Sequence, residues 1–169
     1  MKSPSIILKP ISKCDLPQLL LWRNDGRLFK WFRQYEPISE DHHLRWFENL
    51  KDDNTLKMFS IFNDENVLVG ACGLTSIDYV NRRAEFSLYI GFDHASHGYG
   101  IAALKRLLTI AFSVYNLHQV WGEVFAGNPA LDLFLKLGFK SGGLRRDFYY
   151  RDGIYINSHM ISILRNEHV

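Results

Sequence analysis

The sequence of 169 residues has few of the features that assign a protein to a class at once. Its two cysteines, Cys14 and Cys72, have neither a C-x-x-C partner nor the spacing of a metal site, so we expect two reduced thiols and no metal. No apolar run approaches the roughly 18 residues of a membrane span, and the N-terminus lacks the long apolar core of a signal peptide. Lys and Arg (20) nearly balance Asp and Glu (18) without a basic run. We therefore expect a cytoplasmic protein with neither membrane nor nucleic-acid partners.

The sequence does have enough apolar residues for one core. Hydrophobic residues make up 47%, aromatic residues 14% and charged residues 22%, which excludes a disordered chain. Residue periodicity and turn signals predict, in order, a strand at 5–10, a helix capped by Asp15, a helix capped by Ser39, three strands within 56–90, a helix at 98–115, a strand at 119–126, a helix closed by Gly138, and strands at 144–151 and 154–164. This order predicts one α/β domain, residues 1–169, with a mixed, mostly antiparallel sheet of about six to seven strands flanked by about four helices.

Two glycines, Gly98 and Gly100, stand at the start of the clearest amphipathic helix. Glycines let backbone N–H groups approach an anion, and the first turn of a helix offers unpaired donors and a positive dipole end. With Ala103 and Glu123 the segment formally matches a dinucleotide fingerprint, but such a fold opens with that unit, whereas about 90 residues precede it here. No G-K-[ST] follows, which excludes a Walker loop. The loop either holds another pyrophosphate or only serves the turn before a core helix.

The loop resembles the signature [Q/R]-x-x-G-x-[G/A] of the GNAT superfamily of N-acetyltransferases, with Ala95 where Gln or Arg is usual. The segment NPALDLFLKLGF is similar to the superfamily's N-x-x-A-x-x-L-Y-x-K-L-G-F, and GLRRDFYYRDGIYINSHMISIL resembles the tail of the ribosomal-protein N-acetyltransferase branch. The N-terminal third, including WRN at 22–24 and LTSIDYVNRRAEFSLYI at 74–90, is similar to the acetyltransferases of pseudaminic acid biosynthesis. The resemblance implies a GNAT fold and acetyl-CoA as cosubstrate.

The resemblance also implies which residues contact acetyl-CoA. In the superfamily the backbone of the fourth strand binds the pantetheine arm and the acetyl oxygen, and the glycine loop holds the pyrophosphate. The corresponding positions, together with two that border the arm, are Tyr89, Ile90, Gly91, His97, Gly98, Tyr99, Gly100, Ile101, Asn128 and Phe134. The segment before K-L-G-F is one residue shorter than usual, so Gly127 is an alternative to Asn128.

Acetyl transfer to an amine requires a neutral amine, a polarised thioester carbonyl and a proton for the leaving thiolate. Strand alternation puts Glu85 and Tyr89 on one polar face, which we expect to line the cleft. Glu123 corresponds to the catalytic glutamate of the ribosomal-protein enzymes, and Glu85 is the rival base. For either glutamate the alternative is a charge on a solvated or edge strand.

The usual proton donor is missing, because Phe134 stands where the superfamily has its acid tyrosine. Either the thiolate leaves unassisted, or another tyrosine such as Tyr89 or Tyr149 substitutes, or the chain is an acetyl-CoA-binding module without turnover.

The resemblance to the amino-sugar enzymes implies the acceptor contacts Arg23, Phe32, His43, Trp46 and Thr75. An arginine fork suits a diphosphate because it bonds two oxygens at once. The alternatives are an exposed helix-end charge for Arg23 and a helix-surface histidine for His43. The first acceptor class is a nucleotide-linked amino sugar, and the runner-up is a protein N-terminal amine. These expectations are compatible with a homodimer.

Overall fold

The computed structural model describes residues 4–168, and its strands form one seven-stranded sheet in the order β1-β2-β3-β4-β5-β7-β6. The strands are β1 (Ile6–Pro10), β2 (Lys57–Asn63), β3 (Leu68–Asp78), β4 (Arg83–Ile90), β5 (Gln119–Phe125), β6 (Lys140–Arg151) and β7 (Ile154–Leu164). Five of the neighbouring pairs are antiparallel, and β4 and β5 are parallel. The predicted mixed and mostly antiparallel α/β fold is confirmed.

The helices are α1 (Leu16–Asn24), α2 (Gly26–Phe29), α3 (Glu40–Asn49), α4 (Tyr99–Thr109) and α5 (Ala130–Lys136). Ser39 caps α3 as predicted, since its side chain accepts a hydrogen bond from the backbone N–H of His42. The four-residue helix α2 was not predicted, because a single turn is too short to have a periodic pattern. None of these helices of the described chain is long and apolar enough to cross a membrane.

Helix α4 ends earlier than its apolar pattern predicts. The α-helical bonds stop at Thr109, and a π-helical turn, Ile110–Val114, completes the segment that was predicted as helix to residue 115. The N–H of Tyr115 bonds the carbonyl of Ile110, five residues earlier. The apolar spacing continues through this turn, so the sequence pattern does not distinguish it from α-helix.

The two faces of the sheet carry separate cores. Alternation along β4 sends Ala84 and Phe86 into the core beneath α4, and Tyr89 into the core beneath α1. The first core includes the fully buried Leu104 and Leu107 of α4. Strand β4 therefore lies at the centre of the molecule and contributes side chains to both faces.

Candidate active site

The sheet opens where its two parallel strands part. Strands β4 and β5 pair through only three residue pairs, which end at Glu85 and Trp121. Just beyond them the Phe86 ring lies against Gly122, where a side chain would overlap the ring. Within residues 4–168, positions 86–90 of β4 have a strand partner only on the β3 side. Backbone groups on the other edge can therefore hydrogen-bond an extended ligand.

The direction of the backbone groups on β4 follows from one bond. The N–H of Gly91 donates to the carbonyl of Val69 at 2.9 Å, so Gly91 and Tyr89 present their backbone groups to β3. By alternation, Leu88 and Ile90 present theirs to the open edge. The prediction of free N–H groups from Tyr89 to Gly91 is therefore wrong for Tyr89 and Gly91, and Ile90 is the predicted residue that can offer one.

A cavity of about 770 Å³ fills the opening, which is within the range of small-molecule sites. Its walls are β4, β5, the amino end of α4, part of α5 and the segment 23–34. Twelve of the residues predicted from the sequence line it: Arg23, Phe32, Glu85, Tyr89, Ile90, Gly98, Tyr99, Gly100, Ile101, Glu123, Asn128 and Phe134.

The glycine loop forms one end of this cavity. Gly98 has a φ of 80°, in the left-handed region that glycine adopts without penalty, and α4 begins at the next residue. The N–H groups of the first turn, including Tyr99 and Gly100, have no partner within an α-helix. A Cβ at Gly100 would lie 3.5 Å from Cγ1 of Ile90, so a larger side chain would extend into the cleft. The loop therefore has the backbone geometry of an anion site.

Glu123 lies at the other end of the cavity and is almost fully enclosed. Its side chain is 1% exposed, and its carboxylate accepts hydrogen bonds from Ser158 Oγ (2.5 Å), the Tyr149 hydroxyl (2.9 Å) and Arg145 Nη1 (3.3 Å). Arg33 Nη1 lies 3.5 Å from Oε2. This buried charge is satisfied by four groups: the hydroxyls of Ser158 and Tyr149 and the guanidinium groups of Arg145 and Arg33.

Glu85 lies beside Glu123 but has fewer partners. It is 6% exposed, and Arg33 Nη2 donates to its Oε1 at 2.5 Å. Burial raises the pKa of the Glu85 carboxyl, while the Arg33 guanidinium acts in the opposite direction. Arg33 thus bridges the two carboxylates, and Glu85 retains lone pairs that no described donor uses.

Arg23 forms a second positive site on the cavity wall. Its Nη2 donates to Gln34 Oε1, and its guanidinium lies 4.6 Å from the centre of the Phe32 ring and 5.7 Å from that of Tyr89. No carboxylate lies within ion-pair distance of Arg23 among residues 4–168. Burial lowers the pKa of Arg23, and the nearby Arg33 charge adds to that effect. Tyr89 is itself buried, which raises the pKa of its hydroxyl and keeps it protonated.

A splayed parallel strand pair with a glycine loop at the start of the following helix matches one known family. The family model described as acetyltransferase (GNAT) domain matches residues 5–140 of the chain. The chain belongs to the GNAT acetyltransferases.

Individual GNAT relatives agree with this assignment. Over 102 residues the chain is 32% identical to the uncharacterized N-acetyltransferase p20 of Bacillus licheniformis, covering 60% of this chain and 57% of that protein. Over 103 residues it is 29% identical to spermidine N(1)-acetyltransferase of Vibrio cholerae, covering 60% of each. The chain therefore spans less than two thirds of these curated relatives. Among solved structures, the Vibrio cholerae spermidine N-acetyltransferase in complex with CoA and spermine has a TM-score of 0.91 over 96% of this chain and 97% of that chain, at 24% identity, and supports the fold.

Several residues predicted for this GNAT site do not line the cavity. His43 is buried beneath α1 and stacks on Trp46 at 5.1 Å, and Thr75 contacts the backbone carbonyl of Glu85 from β3. His97 turns back onto its own loop, where Nδ1 lies 2.7 Å from the carbonyl of Ala95. Packing or contacts with neighbouring protein groups keep these three side chains out of the cavity, although Nε2 of the buried His43 has no hydrogen-bond partner among the described residues.

Two predicted residues in or just before α5 line the cavity, but their contacts limit what they can do for a ligand. Phe134 packs edge-to-face on Phe86 at 5.1 Å and forms an apolar wall without a proton to donate. Asn128 Oδ1 accepts the N–H of Ala130 at 2.9 Å, so the amide oxygen is used at the start of the helix. Gly127, the predicted alternative, has a φ of 85° and is not among the lining residues.

The sequence-based site omitted Arg33, which contacts both glutamates, and Arg145 and Ser158, which contact Glu123. The signals for Arg145 and Tyr149 were present in the segment GLRRDFYYRDG, where charged and aromatic residues recur on an otherwise exposed strand. Arg33 lies between helices, and no periodic pattern marks it. Within residues 4–168 no group of three or more His, Cys, Asp or Glu side chains is arranged to hold a metal ion.

Proposed function

We propose that this chain is an acetyl-CoA-dependent N-acetyltransferase, with its residues 1–169 in one catalytic domain, that transfers an acetyl group directly to a primary amine. The observation that carries the proposal is the single cleft between β4 and β5, with the glycine loop at one end and two buried glutamates at the other. Membership of the GNAT family supports it independently.

The cleft fits the two ends of acetyl-CoA in chemical terms. The first-turn N–H groups at Tyr99, Gly100 and Ile101 would hold the pyrophosphate, and the open-edge backbone of Leu88 and Ile90 would hold the pantetheine amides. When bound, acetyl-CoA supplies the thioester carbonyl carbon that the amine nitrogen attacks as the carbon–sulfur bond breaks and the sulfur takes a proton. No residue of this chain has to form a covalent bond in that transfer.

Glu85 is the better candidate for the base. A base must have a free lone pair and a pKa that lets it accept the ammonium proton near neutral pH. Burial raises the pKa of Glu85, and only Arg33 donates to it among the described residues. Glu123 accepts three hydrogen bonds and holds Tyr149 and Arg145 in place. We therefore assign proton removal to Glu85, directly or through water, and positioning to Glu123.

Tyr149 is the candidate for returning a proton to the leaving sulfur. Phe134 has no hydroxyl, and Tyr89, although it lines the cavity, packs in the core beneath α1 and bonds neither glutamate. Tyr149 lies outside the lining but bonds Glu123, which is part of it. The Tyr149 hydroxyl is bonded to Glu123 at 2.9 Å, and burial raises its pKa, so it remains a donor. The alternative is that the thiolate leaves into solvent unassisted.

The acceptor has two supported candidates. Arg23 and Phe32 on the cavity wall favour a nucleotide-linked amino sugar, whose diphosphate an arginine can bind. The name of the Vibrio cholerae relative at 29% identity favours a polyamine such as spermidine. A protein N-terminal amine remains a third class for the same chemistry.

The test is steady-state release of CoA thiol with a panel of UDP-linked amino sugars, spermidine and N-terminal peptides. Acetylation of any one of them, verified by mass spectrometry, supports the proposal and names the class. Binding of acetyl-CoA without turnover on any amine would instead indicate an acetyl-CoA-binding module. A homodimer stays a prediction, which light scattering tests.

A further inference from the structure

Arg33 occupies the place where an acceptor amine would meet the glutamates. Its Nη2 lies 2.5 Å from Glu85 Oε1 and its Nη1 lies 3.5 Å from Glu123 Oε2, so one guanidinium neutralises both carboxylates. Arg33 is 48% exposed, whereas the two carboxylates are buried. For an ammonium to approach Glu85, the guanidinium has to leave or be shared.

The positive charge near this point exceeds what the glutamates neutralise. Arg23 lines the same cavity without a carboxylate partner in the described chain, and the Arg33 charge disfavours its protonated form. An ammonium that displaced Arg33 would leave two neighbouring guanidinium groups without counterions in a partly enclosed site. Like charges in such a site repel each other, so this repulsion would oppose the binding of a purely cationic acceptor.

An acceptor that also has an anionic group would neutralise these guanidinium groups and remove the repulsion. We propose that Arg33 determines acceptor specificity by exchanging ion-pair partners. The anionic group of the acceptor takes the Arg33 guanidinium, with Arg23 beside it, and the amine of the same molecule takes the place that Arg33 leaves at Glu85. The substrate class is therefore a primary amine that also carries a phosphate or carboxylate. This inference rests on the proposed N-acetyltransferase function.

The backbone around Arg33 makes this exchange a movement of one side chain. The carbonyl of Phe32 accepts a hydrogen bond from Arg151, and Gln34 both accepts from Arg23 and donates to the Arg23 carbonyl. Both neighbours of Arg33 are thus fixed to α1 or β6. The half-exposed guanidinium can change partner without moving the segment.

The test uses two anion-bearing acceptors, a UDP-linked amino sugar and an acidic dipeptide with a free amino group, and spermidine, which has only cationic groups. The variant is Arg33→Gln, and the matched control is Arg83→Gln. Arg83 lies on the same strand as Glu85 but outside the cavity lining, and its partner is Asp78 at 3.5 Å. Initial rates give kcat and KM for each acceptor.

We expect the wild-type chain to prefer an anion-bearing acceptor over spermidine. Arg33→Gln should raise the KM of that acceptor about tenfold or more, since a charged hydrogen bond is lost, and should lower the KM of spermidine. Arg83→Gln should change neither. Arg33→Lys, which keeps the charge but loses the fork, should keep the preference with a smaller rise in KM. A preference for the sugar nucleotide would identify phosphate as the anion that Arg33 binds, and a preference for the dipeptide would identify carboxylate.

Two results would overturn the inference and leave the N-acetyltransferase proposal intact. One is equal loss of activity on all acceptors in Arg33→Gln with normal circular dichroism, which would limit Arg33 to positioning the glutamates. The other is a wild-type preference for spermidine, which needs no variant. Failure to acetylate any amine would remove the proposed function and this inference together.

Discussion

At the scale of single residues, the two glutamates differ in their partners more than in their burial. Glu85 was predicted from the alternation of its strand and Glu123 from the resemblance to the ribosomal-protein enzymes, and both line the cavity. Their partners come from distant parts of the chain: Arg33 is 52 positions from Glu85, and Ser158 is 35 positions from Glu123. Periodicity places a side chain on a face, but it does not identify the donors that a folded chain brings to it.

The first prediction concerns Glu85. Because burial raises its pKa, Glu85 becomes protonated at a higher pH than an ordinary carboxyl, and activity should fall as the pH drops through that raised pKa. Glu85→Gln should lower kcat by about 10²-fold or more and remove this acidic limb. The measurement is kcat/KM as a function of pH.

Glu123→Gln is the companion variant. It should weaken the bonds from Arg145 and Tyr149 and lower the free energy of unfolding by about 1–3 kcal/mol, while the acidic limb of the surviving activity remains. If Glu123→Gln removes the limb and Glu85→Gln keeps it, the roles assigned to the two residues are reversed.

A second prediction concerns the proton donor. Tyr149→Phe removes the hydroxyl that lies 2.9 Å from Glu123 and should lower kcat about tenfold or more, with the KM for acetyl-CoA little changed. Tyr150→Phe is the control, since Tyr150 is exposed on the same strand and packs on Tyr155 rather than bonding a glutamate. Unchanged turnover in Tyr149→Phe would mean that the thiolate leaves unassisted.

At the scale of elements, the order of the strands and helices was predicted from the sequence, but the irregular pairing of one strand was not. Strand β6 was predicted from residue 144 and begins at Lys140. Between Arg145 and Tyr149 it uses four residue steps where β7 uses two, from Ser158 to Ile156. This bulge brings Arg145 and Tyr149 close enough to bind one carboxylate. A bulge depends on pairing with another strand, so alternation along β6 alone does not predict it.

The anion-binding role of the glycine loop was predicted directly from the sequence, and the third prediction tests it. Gly100→Val should lower acetyl-CoA affinity about tenfold or more, because its branched side chain would fill space beside Ile90 that the ligand needs. The fold should persist, since the position is helical. Ala102→Val adds the same kind of bulk on α4 outside the cavity and should bind normally. Calorimetric titration with CoA measures both, and equal affinities would refute the phosphate-loop assignment.

At the scale of the whole molecule, family membership and acceptor choice have different physical origins. The family is encoded in short segments whose residues act locally, such as the glycines before α4. The acceptor depends on how Arg23 and Arg33 are paired across α1, β4 and the loop before α3, which only the folded arrangement determines. The sequence therefore predicted the fold and most of the cosubstrate wall, but placed His43, Trp46 and Thr75 at a site whose lining they do not join.

The last prediction follows from the cleft lying between β4 and β5, so that a bound ligand contacts both halves of the sheet. Ligand that binds only the folded chain at about 100 times its Kd stabilises it by about 2.7 kcal/mol. For a chain of 169 residues, each kcal/mol raises Tm by about 2–4 °C, so saturating CoA should raise Tm by about 5–10 °C. The Gly100→Val protein, melted with the same CoA, should show about half of this shift or less, since a tenfold loss of affinity reduces the stabilisation to about 1.4 kcal/mol. A wild-type Tm unchanged by millimolar CoA would mean that the cleft between β4 and β5 does not bind the cosubstrate, whatever amine it accepts.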